Sequence, residues 1–132
     1  MKNKIVISET FPVTVELLFH GWLDSDVHSE FTDSDAEIDP VVGGSFSVWD
    51  GYITGKTLEI IPNKKIVQSW RTTEFSDSDK DSILTIEFES IHNEETRLTL
   101  THTQIPSSDE AKYHQGWIDF YITPMKEYFL GL

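Results

Sequence analysis

The 132-residue sequence contains no cysteine, which excludes disulfide bridges and thiolate metal sites. It has no apolar run of the length needed to cross a membrane. Its first residues, MKNKIVISETF, lack the apolar segment and the cleavage site of a signal peptide. We therefore expect a cytoplasmic protein.

Basic residues are scarce. Ten Lys and Arg stand against 23 Asp and Glu, which gives a formal net charge of -13. Seven acids and no base fall within residues 24–39, and a second acidic stretch, EFSDSDKD, covers residues 74–81. Such a surface repels nucleic-acid phosphates and anionic lipids, so we expect neither nucleic acid nor membrane as a partner. We interpret both stretches as solvated faces, and a basic protein partner remains an alternative.

A chain of this length is expected to form one domain, residues 1–132, that buries roughly two-thirds of its unfolded surface. The alternation in KIVISETF predicts a first strand. Thr14 is placed to cap a helix over VELLFHGWL, and the break at residues 24–26 predicts a short second helix over DVHSEFT.

The middle of the sequence has the two-residue period of strands. Three reversals, at Asp50-Gly51, at Pro62-Asn63 and at residues 92–95, predict an antiparallel meander, and Asp50-Gly51 is typical of a type I′ hairpin turn. Alternation predicts one apolar face, which carries Phe46, Val48, Leu84, Ile86, Phe88, Leu98, Leu100 and His102. The opposite face, with Glu87, Glu89, Thr99 and Thr101, is expected to face water.

The last segment predicts a long helix over residues 110–130 that covers the apolar face of the sheet. Large apolar residues recur at intervals of three and four: Tyr113, Trp117, Phe120 or Tyr121, Pro124 or Met125, and Tyr128. Its predicted caps are Ser107, Ser108 or Asp109. We expect Gly116 to allow a close approach to the sheet, and Pro124 to bend the helix.

This order of elements resembles the START-like (SRPBCC) helix-grip fold, an α+β fold in which a curved antiparallel sheet of about six or seven strands surrounds a C-terminal helix. Four motifs resemble the family of activators of the heat-shock protein 90 ATPase, specifically their C-terminal domain: VELLFHGWLDSDVHSEFT, GGSFSVWDGYITGKTLEIIPNKKIVQSWR, TRLTLTHTQIP and GWIDFYITPMKEYF. They occur in the family's order and cover nearly the whole chain.

The resemblance implies a cavity between sheet and helix, which in many superfamily members receives an apolar molecule. In the eukaryotic co-chaperones the domain instead contacts the chaperone and stimulates ATP hydrolysis, together with a separate N-terminal domain that we do not expect here. Two functions are therefore open: binding of a small apolar or amphipathic ligand, our first hypothesis, or regulation of a chaperone ATPase.

Eight inward-facing residues are the candidate ligand site: Trp22, His28, Phe31, Phe46, Trp70, His102, Trp117 and Tyr121. The rings would form the cavity walls, and a histidine would orient a polar group of the ligand. Alternatively, the rings fill a solid core and each histidine bonds to a carbonyl or hydroxyl group. The sequence has no phosphate-binding Gly-rich loop and no His spacing typical of zinc, so we expect no cofactor, no metal and no catalysis.

Overall fold

A computed structural model describes residues 3–106 and 110–130. It confirms the predicted α+β helix-grip architecture. The elements are β1 (Asn3–Phe11), α1 (Val15–Leu23), α2 (Ser25–Thr32), β2 (Ala36–Ile38), β3 (Ser45–Val48), β4 (Ile53–Ile61), β5 (Lys65–Thr72), β6 (Ser82–His92), β7 (Glu95–Ile105), α3 (Glu110–Trp117), a π-turn (Ile118–Ile122) and α4 (Thr123–Leu130). None of these helices is long and apolar enough to cross a membrane. The predicted helix caps Ser107, Ser108 and Asp109 lie outside the described residues.

Seven strands form one antiparallel sheet in the order β1-β7-β6-β5-β4-β3-β2. The β3–β4 turn has the predicted form, because Asp50 and Gly51 have φ angles of 56° and 84°. The Tyr52 N–H closes this turn by donating to the Trp49 carbonyl over 3.1 Å. The hairpin between β3 and β4 is thus fixed by local turn chemistry.

The predicted alternation is confirmed in β6 and β7. Leu84, Ile86 and Phe88 are buried on the inner face, whereas Glu87 and Glu89 are exposed on the outer face. The inner residues of β7, Leu98, Leu100 and His102, are buried as well. The sheet therefore presents one apolar face to the helices.

The two short helices are capped by side chains. The Thr14 hydroxyl accepts a hydrogen bond from the Leu17 N–H over 3.2 Å, as predicted. The Asp24 carboxylate accepts from the N–H groups of Asp26 and Val27 over 2.8 and 3.0 Å, so this residue both ends α1 and begins α2. These caps satisfy helix N–H groups that lack intrahelical partners.

The C-terminal helix buries a residue at every fourth position: Tyr113, Trp117, Tyr121, Met125 and Phe129. This spacing exceeds the 3.6 residues of an α-helical turn, so the buried row would drift around a regular helix. The wider π-turn takes up the drift, and there the Thr123 N–H bonds to the Ile118 carbonyl, five residues back. Pro124 follows the π-turn as the second residue of α4, and the bend expected there stays a prediction.

Candidate functional site

An open cavity of about 350 Å³ lies between the C-terminal helix and the strands β4 and β5, beside the β3–β4 turn. Seven of its ten lining residues are aromatic: Trp49, Tyr52, Trp70, Tyr113, Trp117, Phe120 and Tyr121. Ile53, Gly116 and Lys112 complete the lining. We call this site the aromatic cavity. Its volume and apolar walls are those of a small-ligand pocket.

The β3–β4 turn supplies one wall of the aromatic cavity. Trp49 and Tyr52 stand at the two ends of the turn. Trp49 has a φ angle of 57°, a left-handed conformation that is unusual for a bulky residue and that occurs preferentially at functional sites. Its indole meets the Phe120 ring edge to face, with the ring centroids 5.7 Å apart. The turn and the C-terminal helix therefore touch at the cavity entrance.

The C-terminal helix forms the opposite wall. The prediction that Gly116 allows a close approach to the sheet is wrong, because a Cβ atom there would meet only Phe120 Cδ2, at 3.9 Å. Gly116 instead lines the aromatic cavity. The missing side chain enlarges the cavity at this level of the helix.

His102 holds the Trp117 ring from behind. The Trp117 indole N–H donates to His102 Nδ1 over 3.0 Å, and His102 Nε2 lies 2.8 Å from Ser82 Oγ. The Ser82 hydroxyl donates to the Trp70 carbonyl over 2.6 Å, so the proton between His102 and Ser82 belongs to His102 Nε2. Burial lowers the pKa of His102 to about 3, which keeps the imidazole neutral.

His28 holds the Tyr121 ring in the same way. Its Nδ1 donates to the Trp22 carbonyl over 2.9 Å, and its Nε2 accepts from the Tyr121 hydroxyl over 2.9 Å. Burial lowers the pKa of His28 to about 4, outweighing the opposite effect of the Trp22 hydrogen bond. Burial also raises the pKa of Tyr121. Both groups are therefore neutral at physiological pH.

The structure divides the eight predicted site residues between cavity and core. Trp70, Trp117 and Tyr121 line the aromatic cavity. Trp22, His28 and Phe46 lie behind these rings around a void of about 10 Å³, which has room for about one water molecule. Phe31 packs against Phe129, at a centroid distance of 6.1 Å, and His102 lies behind Trp117. The two histidines thus contact the cavity rings on the side away from the opening.

Three interacting polar side chains, those of Tyr52, Glu74 and Lys112, lie at the rim of the aromatic cavity. The Tyr52 hydroxyl donates to Glu74 Oε1 over 2.6 Å, and the Lys112 ammonium group pairs with the same oxygen. The Lys112 ammonium and then the Tyr52 hydroxyl hold the pKa of Glu74 below its ordinary value. Burial, reinforced by the Glu74 carboxylate, raises the pKa of Tyr52. Glu74 is therefore a carboxylate and Tyr52 a neutral phenol at neutral pH.

Seven lining residues were not among the predicted site residues: Trp49, Tyr52, Ile53, Lys112, Tyr113, Gly116 and Phe120. The Asp50-Gly51 turn between Trp49 and Tyr52 was a usable signal, since it brings its flanking rings together. Tyr113 and Phe120 belong to the helical spacing already recognised. No local pattern indicated Lys112.

Comparison with known proteins identifies relatives along almost the full chain. The family model described as "Activator of Hsp90 ATPase homolog 1-like protein" matches residues 12–129. Human and mouse "Activator of 90 kDa heat shock protein ATPase homolog 1" are each 31% identical over 127 residues, which is 96% of this chain. The chain spans only 37% of the length of these two relatives.

Solved structures give the same result. An HSP90 activator from Plasmodium falciparum is 32% identical, with a TM-score of 0.87, and the match covers 97% of this chain and 96% of that chain. The Aha1 dimer from Colwellia psychrerythraea is 18% identical, with a TM-score of 0.81 over 96% of both chains. At that identity, the second likeness shows a common fold alone.

Proposed function

Because the chain belongs to the family of Activator of Hsp90 ATPase homolog 1-like proteins, we propose that it binds a chaperone of the Hsp90 class and stimulates its ATPase. The observation that carries this proposal is the likeness to the Plasmodium falciparum HSP90 activator, which this chain matches almost from end to end. In this proposal the protein acts by binding and performs no chemistry of its own.

The exposed acids are the candidate contact surface for the chaperone. All seven acidic residues of the 24–39 stretch are exposed, from the cap of α2 through α2 and β2 to the residue that follows β2. A partner that meets this face is expected to present basic residues, because opposite charges accelerate association and fix orientation. Salt screens such contacts, with a Debye length of about 8 Å at physiological ionic strength.

An ATPase assay tests this proposal. We expect the purified protein to raise the ATP turnover of an isolated Hsp90, and the effect to weaken as salt rises from about 50 to 300 mM. Replacement of Asp33, Asp35 and Glu37 by their amides should reduce the stimulation, since it removes three charges from the acidic face.

The matched control removes the same charge from another surface. Glu87, Glu89 and Glu94 are exposed on or beside β6 and can be replaced by Gln. This second triple variant should stimulate like the unmodified protein. An Hsp90 whose turnover and binding are unaffected by the protein at any salt concentration would refute the proposal.

A second function is favoured by a specific observation, the aromatic cavity. We propose that it binds a small apolar or amphipathic molecule, with Trp70, Trp117 and Tyr121 as walls. Binding would be driven by burial of ligand surface, at roughly 25 cal/mol per Å² before the entropic costs of association. The histidine partners of Trp117 and Tyr121 fix the ring positions in advance, which lowers the cost of ordering the site.

Binding of the neutral fluorophore N-phenyl-1-naphthylamine tests the cavity. Its emission should rise on addition of the protein, because an apolar site excludes water. Gly116→Val places a branched side chain in the cavity and should abolish this signal, whereas the matched change Ala111→Val, at an exposed position of α3, should not. Equal fluorescence with both variants would locate the fluorophore elsewhere and contradict the proposal.

A further inference from the structure

Four of the cavity rings already have partners within the protein for their polar ends. The Tyr113 hydroxyl lies 2.9 Å from Thr72 Oγ1, the Tyr52 hydroxyl donates to Glu74, and the Trp117 N–H donates to a buried histidine. The Tyr121 hydroxyl is likewise bound to a histidine. A ligand in the aromatic cavity therefore meets chiefly the carbon surfaces of the rings.

Aromatic rings attract cations through the negative potential of their faces. Such a contact occurs at this site: the Lys112 ammonium lies 5.3 Å from the centroid of the Tyr113 ring. Seven rings line this cavity of about 350 Å³, so an organic ammonium group placed in it would contact several of them. This composition is that of an aromatic cage, the type of site that recognises quaternary ammonium groups.

The charges at the rim favour the same class of ligand. Glu74 is ionised, and both of its described side-chain contacts, from Tyr52 and Lys112, fall on Oε1. Within residues 3–106 and 110–130, no group forms a hydrogen bond or an ion pair with Oε2 of this half-exposed carboxylate. Lys112, the one base among the described lining residues, pairs with Oε1 of Glu74, so a cationic ligand would share this carboxylate through Oε2. The net charge of -13 attracts cations and repels carboxylates and phosphates.

We propose that the aromatic cavity selects organic cations, an ammonium group carried on an apolar body, with Glu74 as the counter-ion at the rim. This inference rests on the proposal that the cavity binds a ligand, and it names the chemical class. A cationic amphiphile fits because its apolar part packs among the rings while its charge meets ring faces and a carboxylate.

Three probes of similar shape separate the effect of charge from that of apolar burial. Benzyltrimethylammonium carries the cation, neopentylbenzene has carbon in place of the charged nitrogen, and phenylacetate carries an anion. The indole N–H signals of Trp49, Trp70 and Trp117 in ¹H–¹⁵N spectra report on the cavity. Trp22, whose N–H donates to Gln68 behind the rings, is the internal reference. We expect the ammonium probe to bind about tenfold more tightly than its neutral isostere, and phenylacetate to bind most weakly.

Variants at the rim test the counter-ion. Glu74→Gln should weaken benzyltrimethylammonium binding by about three- to tenfold and leave neopentylbenzene unchanged. Glu74 is an exposed residue, so its loss does not threaten folding. The matched control Glu89→Gln removes the same charge from the outer face of β6 and should change neither affinity.

The outcomes distinguish the two proposals. If neopentylbenzene or phenylacetate binds as tightly as the ammonium probe, selection of cations is refuted while ligand binding stands. Equal ammonium affinity of the Glu74→Gln variant and the unmodified protein would remove Glu74 as counter-ion. If no probe shifts the three indole signals, the ligand-binding proposal fails, and selection of cations fails with it.

Discussion

Acid should unfold this protein through its two buried histidines. His28 and His102 are neutral in the folded state, because burial lowers their pKa values from 6.5 to about 4 and about 3. In the unfolded chain both histidines regain an ordinary pKa and bind a proton below pH 6.5. Between about pH 4 and pH 6.5 the unfolded state therefore holds more protons, and the folded state loses stability as the pH falls.

The size of the effect follows from the number of protons. Each proton bound only by the unfolded state costs about 1.4 kcal/mol of stability per pH unit. Two histidines thus give a slope that approaches its upper limit of about 2.7 kcal/mol per pH unit near pH 5. From pH 7 to pH 4 the loss is about 6 kcal/mol, which approaches the whole stability of a small domain, about 5–15 kcal/mol.

Urea unfolding at a series of pH values, followed by tryptophan fluorescence, measures this slope. His102→Gln keeps a donor for Ser82 and an acceptor for Trp117 but cannot titrate, so its slope should fall by about 1.4 kcal/mol per pH unit. His28→Gln should reduce the slope equally. His114→Gln, which removes an exposed imidazole, is the control and should keep the slope of the unmodified protein.

One result would overturn the reasoning. If His102→Gln and His28→Gln retained the full slope between pH 4 and pH 6.5, the two histidines would not be the groups that take up protons on unfolding. A lower stability of these variants at pH 7 alone would not decide the matter, because the loss of packing has that effect as well.

Three further predictions concern the aromatic cavity and the packing of two glycines. Tyr121→Phe removes the donor to His28 Nε2 and should lower the free energy of unfolding by about 1–3 kcal/mol in urea titrations. Gly55→Ala should lower it by about 3 kcal/mol or more, since its Cβ atom would lie 1.9 Å from a backbone oxygen of β5. Gly116→Ala should instead raise the free energy of unfolding by about 0.5–1 kcal/mol, because only Phe120 Cδ2 lies within 4 Å of its Cβ position, at 3.9 Å. Equal effects of the two glycine substitutions would contradict this. Phe120 is 57% exposed, so Phe120→Ala should change the free energy of unfolding by less than about 1 kcal/mol. The same substitution should weaken N-phenyl-1-naphthylamine binding. Unchanged binding would show that the Phe120 ring does not belong to the site.

The fold was predictable because its determinants are local. The positive φ angles of Asp50 and Gly51 follow from residue type, and the alternation of β6 follows from the two-residue period. β2 was not predicted: Ala36–Ile38 spans three residues inside an acidic stretch, too few for a period to be visible. Its pairing with β3 is tertiary information.

The candidate site was predictable only in part. Alternation correctly predicted that His102 faces the interior of the protein, but the sequence does not indicate on which side of the Trp117 ring the imidazole lies. The distance between helix and sheet decides which rings line an opening and which fill the core, and that distance depends on packing across the whole interface. Trp22 and Trp70 are both buried, yet only Trp70 borders the aromatic cavity.

The π-turn at Ile118–Ile122 marks the place in the C-terminal helix where relatives of this chain can differ in length. A π-turn holds one residue more than an α-helical turn, so deletion of one residue there would restore a regular α-helix and leave the following residues close to their original orientation. Met125 and Phe129 would then stay in the interior. A one-residue deletion elsewhere in the helix would instead rotate the residues that follow by about 100°. We therefore expect a one-residue gap in alignments of functional relatives to fall in this segment and not in the helical turns beside it.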